Sequence, residues 1–276
     1  MRLAGLYIYP VKSLAGMSVE RVRLSRRGLE GDRRWMIVDR DGVFVTQREE
    51  PLLGTLSARL HPGVGGGVLE IVTAGSSLRL PAAPDHGKRR VVRVWKDHCE
   101  ALVSVEGSQL VSDRLGRAVE LVFMPDDVER KVPYDGALAG EVVSFADGFP
   151  LLLVGQGSLD GLNARLLSAL PMTRFRPNLV VDSVVAHAED GWGAFTIGRV
   201  AMRMATPCAR CSITTVDDAG LRGKEPLTTL ASYRRGESLG YEAGGVYFGM
   251  NVIHDHPGEL MLGDEVVVSG RLGDAA

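Results

Sequence analysis

Apolar positions recur in short runs with a period of two over much of this chain, and glycine or proline punctuates them. Side chains of a strand point alternately to its two faces, so this pattern predicts strands rather than helices. Residues 1–9 enter such a pattern at once. Trp35-Met36-Ile37-Val38 and Val43-Phe44-Val45-Thr46 flank Asp39-Arg40-Asp41-Gly42, which predicts a hairpin with an Asp/Gly turn. Residues 68–72 and 78–80 flank Ala74-Gly75-Ser76 as a second hairpin, and residues 91–95 alternate as a further strand. Residues 63–67 read as a flexible surface loop. Strand character resumes at 195–197 and 200–204 around Gly198, and residues 260–268 read as a closing hairpin and strand.

Only two segments carry a helical period. In 106–117, Leu110, Val111 and Leu115 share a face and Gly116 supplies a stop. In 158–167, Leu159, Leu162 and Leu166 share a face, with Ser158 placed as the N-cap. Many short strands must pair or close to protect their edges. The predicted fold is therefore α+β and predominantly β, a barrel with a few peripheral helices. Composition shifts around Pro125-Asp126-Asp127, where a soft boundary is placed.

The 276 residues are 45% hydrophobic and 24% charged, the balance of a soluble protein with a sizeable core. A formal charge of −2 argues against a nucleic-acid binder that relies on a strongly basic surface. No run of apolar residues is long enough for a transmembrane helix, and the N-terminus lacks the pattern of a signal peptide, so no membrane partner is expected. Three cysteines make no disulfide framework. Together these points predict a reducing, cytoplasmic setting.

Candidate chemistry begins with Pro207-Cys208-Ala209-Arg210-Cys211, two thiols three residues apart around an arginine. A thiolate is a soft metal ligand or a nucleophile, and a neighbouring guanidinium favours it. Half of a zinc site, a redox dithiol and simple core packing all remain open for the pair. Against zinc, no second Cys-x-x-Cys exists and Cys99 is isolated; against a thioredoxin-like dithiol, the pair follows a strand and precedes the β-prone residues 212–216. Three further segments put cations where a strand meets a loop: Pro10-Val11-Lys12-Ser13, Gly31-Asp32-Arg33-Arg34-Trp35 and Arg174-Phe175-Arg176-Pro177-Asn178. Arginine forks suit bidentate phosphate recognition and lysine serves as a point charge. Jointly, the thiols and basic strand ends point to an anionic cofactor with a soft metal.

These segments, with Glu225-Pro226-Leu227-Thr228-Thr229-Leu230, fall in the order seen in the MOSC family, named for the C-terminal domain of molybdenum cofactor sulfurase. The chain resembles the branch that combines an N-terminal MOSC β-barrel domain with a MOSC domain and includes the mitochondrial amidoxime-reducing components. The resemblance implies a MOSC-type β-barrel with a β-rich N-terminal module over residues 1–120 and a MOSC module over 125–271. It also implies a molybdenum cofactor: a molybdopterin whose dithiolene binds molybdenum, with Cys211 completing the metal's sulfur ligation. Cys208 then shapes the pocket. Lys12, Ser13, Arg33, Arg176 and Asn178 match positions that hold the pterin and its phosphate. Arg210 is expected to stabilise the Cys211 thiolate or approach the phosphate. Asp147, in Phe145-Ala146-Asp147-Gly148, matches a carboxylate on the substrate side of the metal, where it orients an N-hydroxyl or relays a proton.

By the same resemblance the activity is reduction of N-hydroxylated or otherwise N-oxygenated compounds. The chain has no Gly-x-Gly-x-x-Gly fingerprint, so electrons are expected from an external ferredoxin- or flavin-type reductase. No cysteine follows Cys211, so no iron–sulfur cluster is expected in this chain. A pyridoxal-dependent desulfurase domain and a membrane anchor, present in some relatives, are not found. The alternative function is a sulfur or cofactor carrier that holds a persulfide on Cys211.

Overall fold

The computed structural model describes residues 1–63 and 67–271. The expected 63–67 loop includes 64–66, which lie outside the described residues. The chain opens with β1 (Leu3–Ile8), β2 (Met17–Ser18), β3 (Arg21–Ser25) and β4 (Gly28–Leu29), then β5 (Trp35–Val38). Next come β6 (Ser57–His61), β7 (Val68–Thr73), β8 (Ser76–Pro81), β9 (Arg89–Val94), β10 (Asp97–Ser104), α1 (Val105–Leu115) and β11 (Glu120–Phe123). Then follow β12 (Leu151–Gly155), α2 (Gln156–Asn163), β13 (Leu179–Val181), β14 (Ala194–Ile197) and β15 (Val200–Ala209). Helices α3 (Leu227–Ala231) and α4 (Gly236–Leu239) precede β16 (Tyr247–His254), β17 (Gly258–Met261) and β18 (Val266–Val268). The fold is α+β and predominantly β, as the period of two predicts.

Eight strands form one sheet in the order β18-β14-β15-β16-β12-β13-β1-β2. The start of β1 returns to the strand at the other end: Arg2 bridges Glu265, and the Val266 amide donates to the Met1 carbonyl at 2.8 Å. The sheet thereby closes on itself, and its interior is filled by Leu3, Leu6, Ile8, Leu153, Leu179, Phe195, Met202 and Val252 among others. β12 reads Leu-Leu-Leu-Val-Gly and is buried throughout, the continuous apolar run of a strand covered on both faces. Residues 35–123 carry a second core, built on the sheet β5-β11-β10-β9, the meander β6-β7-β8 and α1.

The boundary at 125–127 divides sequence modules and not cores. β1 belongs to the eight-stranded sheet, and β3 pairs with β17 across 230 and more residues of chain. Leu3, Leu24 and Leu29 pack with residues from 151 onward.

Several local expectations change. Residues 260–268 are not a hairpin: β17 pairs with β3 while β18 pairs with β14, so the two strands leave for different sheets. The first hairpin keeps its turn, with Gly42 donating to Asp39, but its second arm reduces to a bridge between Val38 and Phe44. α1 stops as predicted, on Gly116 at φ 66°, and starts one residue before the expected 106, capped by the Ser104 hydroxyl, which accepts from the Gly107 amide. α2 instead starts at Gly155 and ends at Asn163, because the Ser158 hydroxyl is engaged by the buried Glu189 carboxylate and is not free to cap. Residues 212–215 form a 3-10 turn despite their β propensity. The Thr214 and Thr215 hydroxyls donate to the carbonyls of Cys211 and Ser212, a local alternative to a sheet ladder.

Candidate active site

Loops that follow β1 and β15 converge with loops that precede β5, β12 and β13. One cavity of about 140 Å³ is lined by Lys12, Ser13, Arg33, Asp147, Arg176, Asn178, Cys208, Arg210 and Cys211, so every residue singled out from sequence borders a common space. The strand geometry explains how the cysteines get there. The register of β15 against β16 shifts between Pro207 and Ala209, where the single residue Cys208 faces both Phe248 and Gly249, and such a bulge on β16 re-aims side chains. Opposite it, β16 bends at Gly249 (φ 78°), where a Cβ would come within 2.7 Å of Val154 and 2.8 Å of the Leu153 carbonyl.

Left-handed backbone concentrates here. Among the described residues, five non-glycines have positive φ, and Ser13 (70°), Arg33 (46°), Arg176 (55°) and Trp95 (56°) are four of them. Such conformations persist only where surrounding structure enforces them, and they gather at functional sites.

Arg33 and Arg176 both stack on the Tyr9 ring, at 4.5 and 4.3 Å from its centroid. Arg33 also donates to Asp32 (2.6 Å), to Asn178 Oδ1 (2.9 Å) and to the Arg176 carbonyl (3.2 Å). Burial, and then the facing Arg33, pull the Arg176 pKa down to about 10. Asn178 is 1% exposed, and its Oδ1 accepts from both Arg33 and the Leu152 amide while its Nδ2 donates to Tyr7. Its side chain thus acts first on Arg33, holding that guanidinium in the pocket wall.

Asp147 is bracketed by cations. Lys12 Nζ donates to its Oδ1 and, at 2.8 Å, to the Phe145 carbonyl; Arg48 donates to its Oδ2 at 2.9 Å. Desolvation raises the Asp147 pKa, but Lys12 and then Arg48 outweigh it and hold the carboxyl well below the usual range. Burial lowers the Lys12 pKa from 10.5 to about 8, against the opposing pull of Asp147. Beneath them Arg130, 3% exposed, donates to the carbonyls of Ser144 (3.0 Å), Ala146 (2.6 Å) and Asp147 (2.8 Å) and to Asp97 (2.7 Å).

Of the two expectations for Arg210, contact with the Cys211 thiolate is not found. Its guanidinium donates to Cys208 Sγ at 3.0 Å and to the Phe175 carbonyl at 2.7 Å, and its Nε is buried without a partner. A second guanidinium, Arg48, pairs with Asp147 at 2.9 Å, and the Cys211 sulfur acts on it electrostatically, together with Asp147 raising its pKa against the effect of burial. Arg48 was not among the sequence candidates, nor were Tyr9, Asp32, Trp95 and Arg130. Arg48 does follow the Val43-Phe44-Val45-Thr46 run, the same signal of a cation at the end of an apolar segment that marked Lys12.

Four cations (Lys12, Arg33, Arg176 and Arg210) thus line the cavity, with Arg48 behind Asp147, against two carboxylates, Asp147 in the lining and Asp32 behind Arg33. The excess and the unpartnered Arg210 Nε fit an anion with several acceptor oxygens, and the thiol of Cys211 fits a soft metal. The Lys12 pKa makes this testable. Inorganic phosphate should bind progressively more weakly as pH rises through about 8, by about tenfold per unit at the limit where only charged Lys12 binds it. Stability moves the other way. The folded state binds fewer protons than the unfolded chain between about 8 and 10.5, so this group's contribution rises with pH across that window. Phosphate titration calorimetry at a series of pH values checks this, with Lys12→Arg expected to flatten the profile; an unchanged profile in that variant excludes Lys12 as its cause.

Comparison with known proteins agrees with this picture. The family model of the MOSC N-terminal beta barrel domain matches residues 1–118, and that of the MOSC domain matches residues 140–267. The chain is 29% identical to the mitochondrial amidoxime-reducing component 1 of Homo sapiens over 293 residues, covering 98% of this chain and 83% of that protein. It is 32% identical to the mitochondrial amidoxime reducing component 2 of Rattus norvegicus, covering 95% and 81%. It is 29% identical to the molybdenum cofactor sulfurase of Oryza sativa subsp. japonica, covering 98% of this chain but 34% of that longer protein. With two family models that together span most of its length, the chain belongs to the MOSC domain family, in the form that carries the N-terminal MOSC β-barrel domain.

Proposed function

We propose that this protein binds a molybdenum cofactor of the pterin type and reduces N-hydroxylated compounds with electrons from a separate redox protein. The observation that carries the reading is the shared cavity, in which a half-buried thiol and four cations converge beside an ionised carboxylate that Arg48 also holds. The names of the amidoxime-reducing relatives support the substrate class. Lys12, Ser13, Arg33 and Arg176 would hold the phosphate-bearing pterin, with Asn178 fixing Arg33, and Cys211 would supply the protein's sulfur ligand. When bound, that group supplies the two-electron redox chemistry.

The chain's own part is orientation and protons. Reduction of R–NHOH to R–NH2 and water consumes two electrons and two protons. Asp147 is held ionised, so it accepts the hydrogen bond of the substrate hydroxyl and fixes its position rather than donating a proton itself. Lys12 Nζ, hydrogen-bonded to Asp147 and with a pKa of about 8, is the adjacent group able to release and regain a proton near neutrality.

Elemental and pterin analysis tests the reading on protein purified from a host able to make the cofactor. About one molybdenum and one pterin per chain are expected, with Arg176→Ala lowering both. Protein from such a host with neither component, and with a persulfide on Cys211 instead, would replace the reductase by the carrier.

A further inference from the structure

Asp147 borders a second space. A groove of about 480 Å³ lies on its far side, walled by Val43, Phe44, Trp95, Arg93, Lys96 and Pro133, with Asp97 and Arg130, paired to each other at 2.7 Å, also in its lining. Trp95 dominates it, and its presence has no explanation in folding. It is the first residue of a two-residue loop between the paired Val94 and Asp97, and it sits at φ 56°. Glycine or asparagine is the residue such a position prefers, and a bulky aromatic there is strained. The side chain does not repay the strain by burial, since Trp95 is 49% exposed. The ring is nevertheless held in place. Phe44 packs at 5.1 Å, the Arg48 guanidinium lies 4.7 Å from the ring, and the indole N–H donates to Asp147 Oδ1 at 3.3 Å. Arg93 and Lys96 are exposed beside it and form no ion pair among the described residues.

We propose that this groove is the subsite for the body of the substrate, and that it selects planar aromatic N-hydroxylated compounds bearing an acidic substituent. The aromatic ring stacks on Trp95, the N-hydroxyl meets the Asp147 carboxylate, and the acidic group faces the unpaired Arg93 and Lys96. Stacking on an exposed indole accepts any planar π-system, and two unpaired cations favour an anion over a neutral or cationic end. The N-hydroxyl part of this assignment rests on the reductase reading; the aromatic and acidic parts rest on the groove alone.

Tryptophan emission reports on the site directly, because Trp35 and Trp192 are only 1% and 7% exposed. The full chain as purified is titrated with an aryl amidoxime carrying a carboxylate, with its uncharged parent, and with an alkyl amidoxime. The aryl compounds should quench the accessible emission, the carboxylated one binding about tenfold tighter at low salt with the gain lost at high salt. The alkyl compound should leave emission unchanged. Trp95→Asn, which suits the left-handed turn, should unfold at no lower temperature and bind the aryl compounds about tenfold more weakly by calorimetry. In the molybdenum-loaded enzyme the same variant should raise KM for aryl over alkyl substrates with less effect on kcat. Equal affinity for aryl and alkyl compounds, or emission unmoved by either, overturns the subsite. Binding without turnover of any amidoxime by loaded enzyme overturns the reductase reading and leaves the subsite standing.

Discussion

Cys211→Ser should lower molybdenum-dependent turnover by more than about a hundredfold, the upper range for changes that only touch a ligand's surroundings. Cys208→Ser should retain at least about a tenth of it. The asymmetry follows from position. Cys211 lies beyond the end of β15, caps the 3-10 turn at 212–215 and faces Arg48. Cys208 is within the strand, receives the Arg210 guanidinium at 3.0 Å and packs at the edge of the Leu152, Phe175 and Phe248 cluster. A serine oxygen is a hard, poorly acidic ligand where a thiolate is soft, so the first substitution removes ligation while the second mostly perturbs a wall. Kinetics paired with molybdenum content in both variants decide the point. Equal and complete loss in the two would show that neither is the single ligand.

Arg130→Met should destabilise the fold by about 3–5 kcal/mol, the cost of breaking a buried charge cluster from one side. The guanidinium serves three carbonyls in 144–147 as well as Asp97, and its side chain is 2% exposed. Methionine fills the volume but leaves those carbonyls unpaired, and an orphaned buried polar group bears its full desolvation cost. Arg130→Lys should recover little of this, because one ammonium cannot reproduce a fork that spans four acceptors. Urea unfolding of both variants provides the measurement. A lysine variant as stable as the parent would show that charge alone, and not the fork, holds the loop. Activity should fall with stability, since the same bonds place the Asp147 backbone beside Lys12.

The site was legible in sequence wherever a functional group sits at the end of a patterned strand. Lys12, Arg33, Arg176 and the cysteine pair all meet that condition, and all border the cavity. Arg48, Trp95 and Arg130 act through partners 99, 52 and 17 positions away, and no local periodicity encodes such distances. The same reason separates the strands that were predicted from the pairings that were not. β17 and β18 were visible as apolar segments, but each finds its partner far back in the chain, at 21–25 and 195–197. Arg210 illustrates a subtler limit. Adjacency to Cys211 in sequence suggested contact, yet the bulge in β16 opposite Cys208 and the turn after Cys211 send the guanidinium to the other thiol.

The bridge from Arg2 to Glu265 sets the order in which this molecule can acquire structure during synthesis. Residues 35–123 own their sheets and, with Val11 and Leu14, most of their core, and can fold once they leave the ribosome, whereas β1 has only the two-residue β2 beside it until 179–181 and then 263–266 have been made. Until then an apolar strand waits with one edge open and the other covered only at its end by β2, which is the condition that invites aggregation and chaperone capture. A pulse-labelled nascent chain should therefore show early protease resistance in its second quarter and late, all-at-once protection of its two ends.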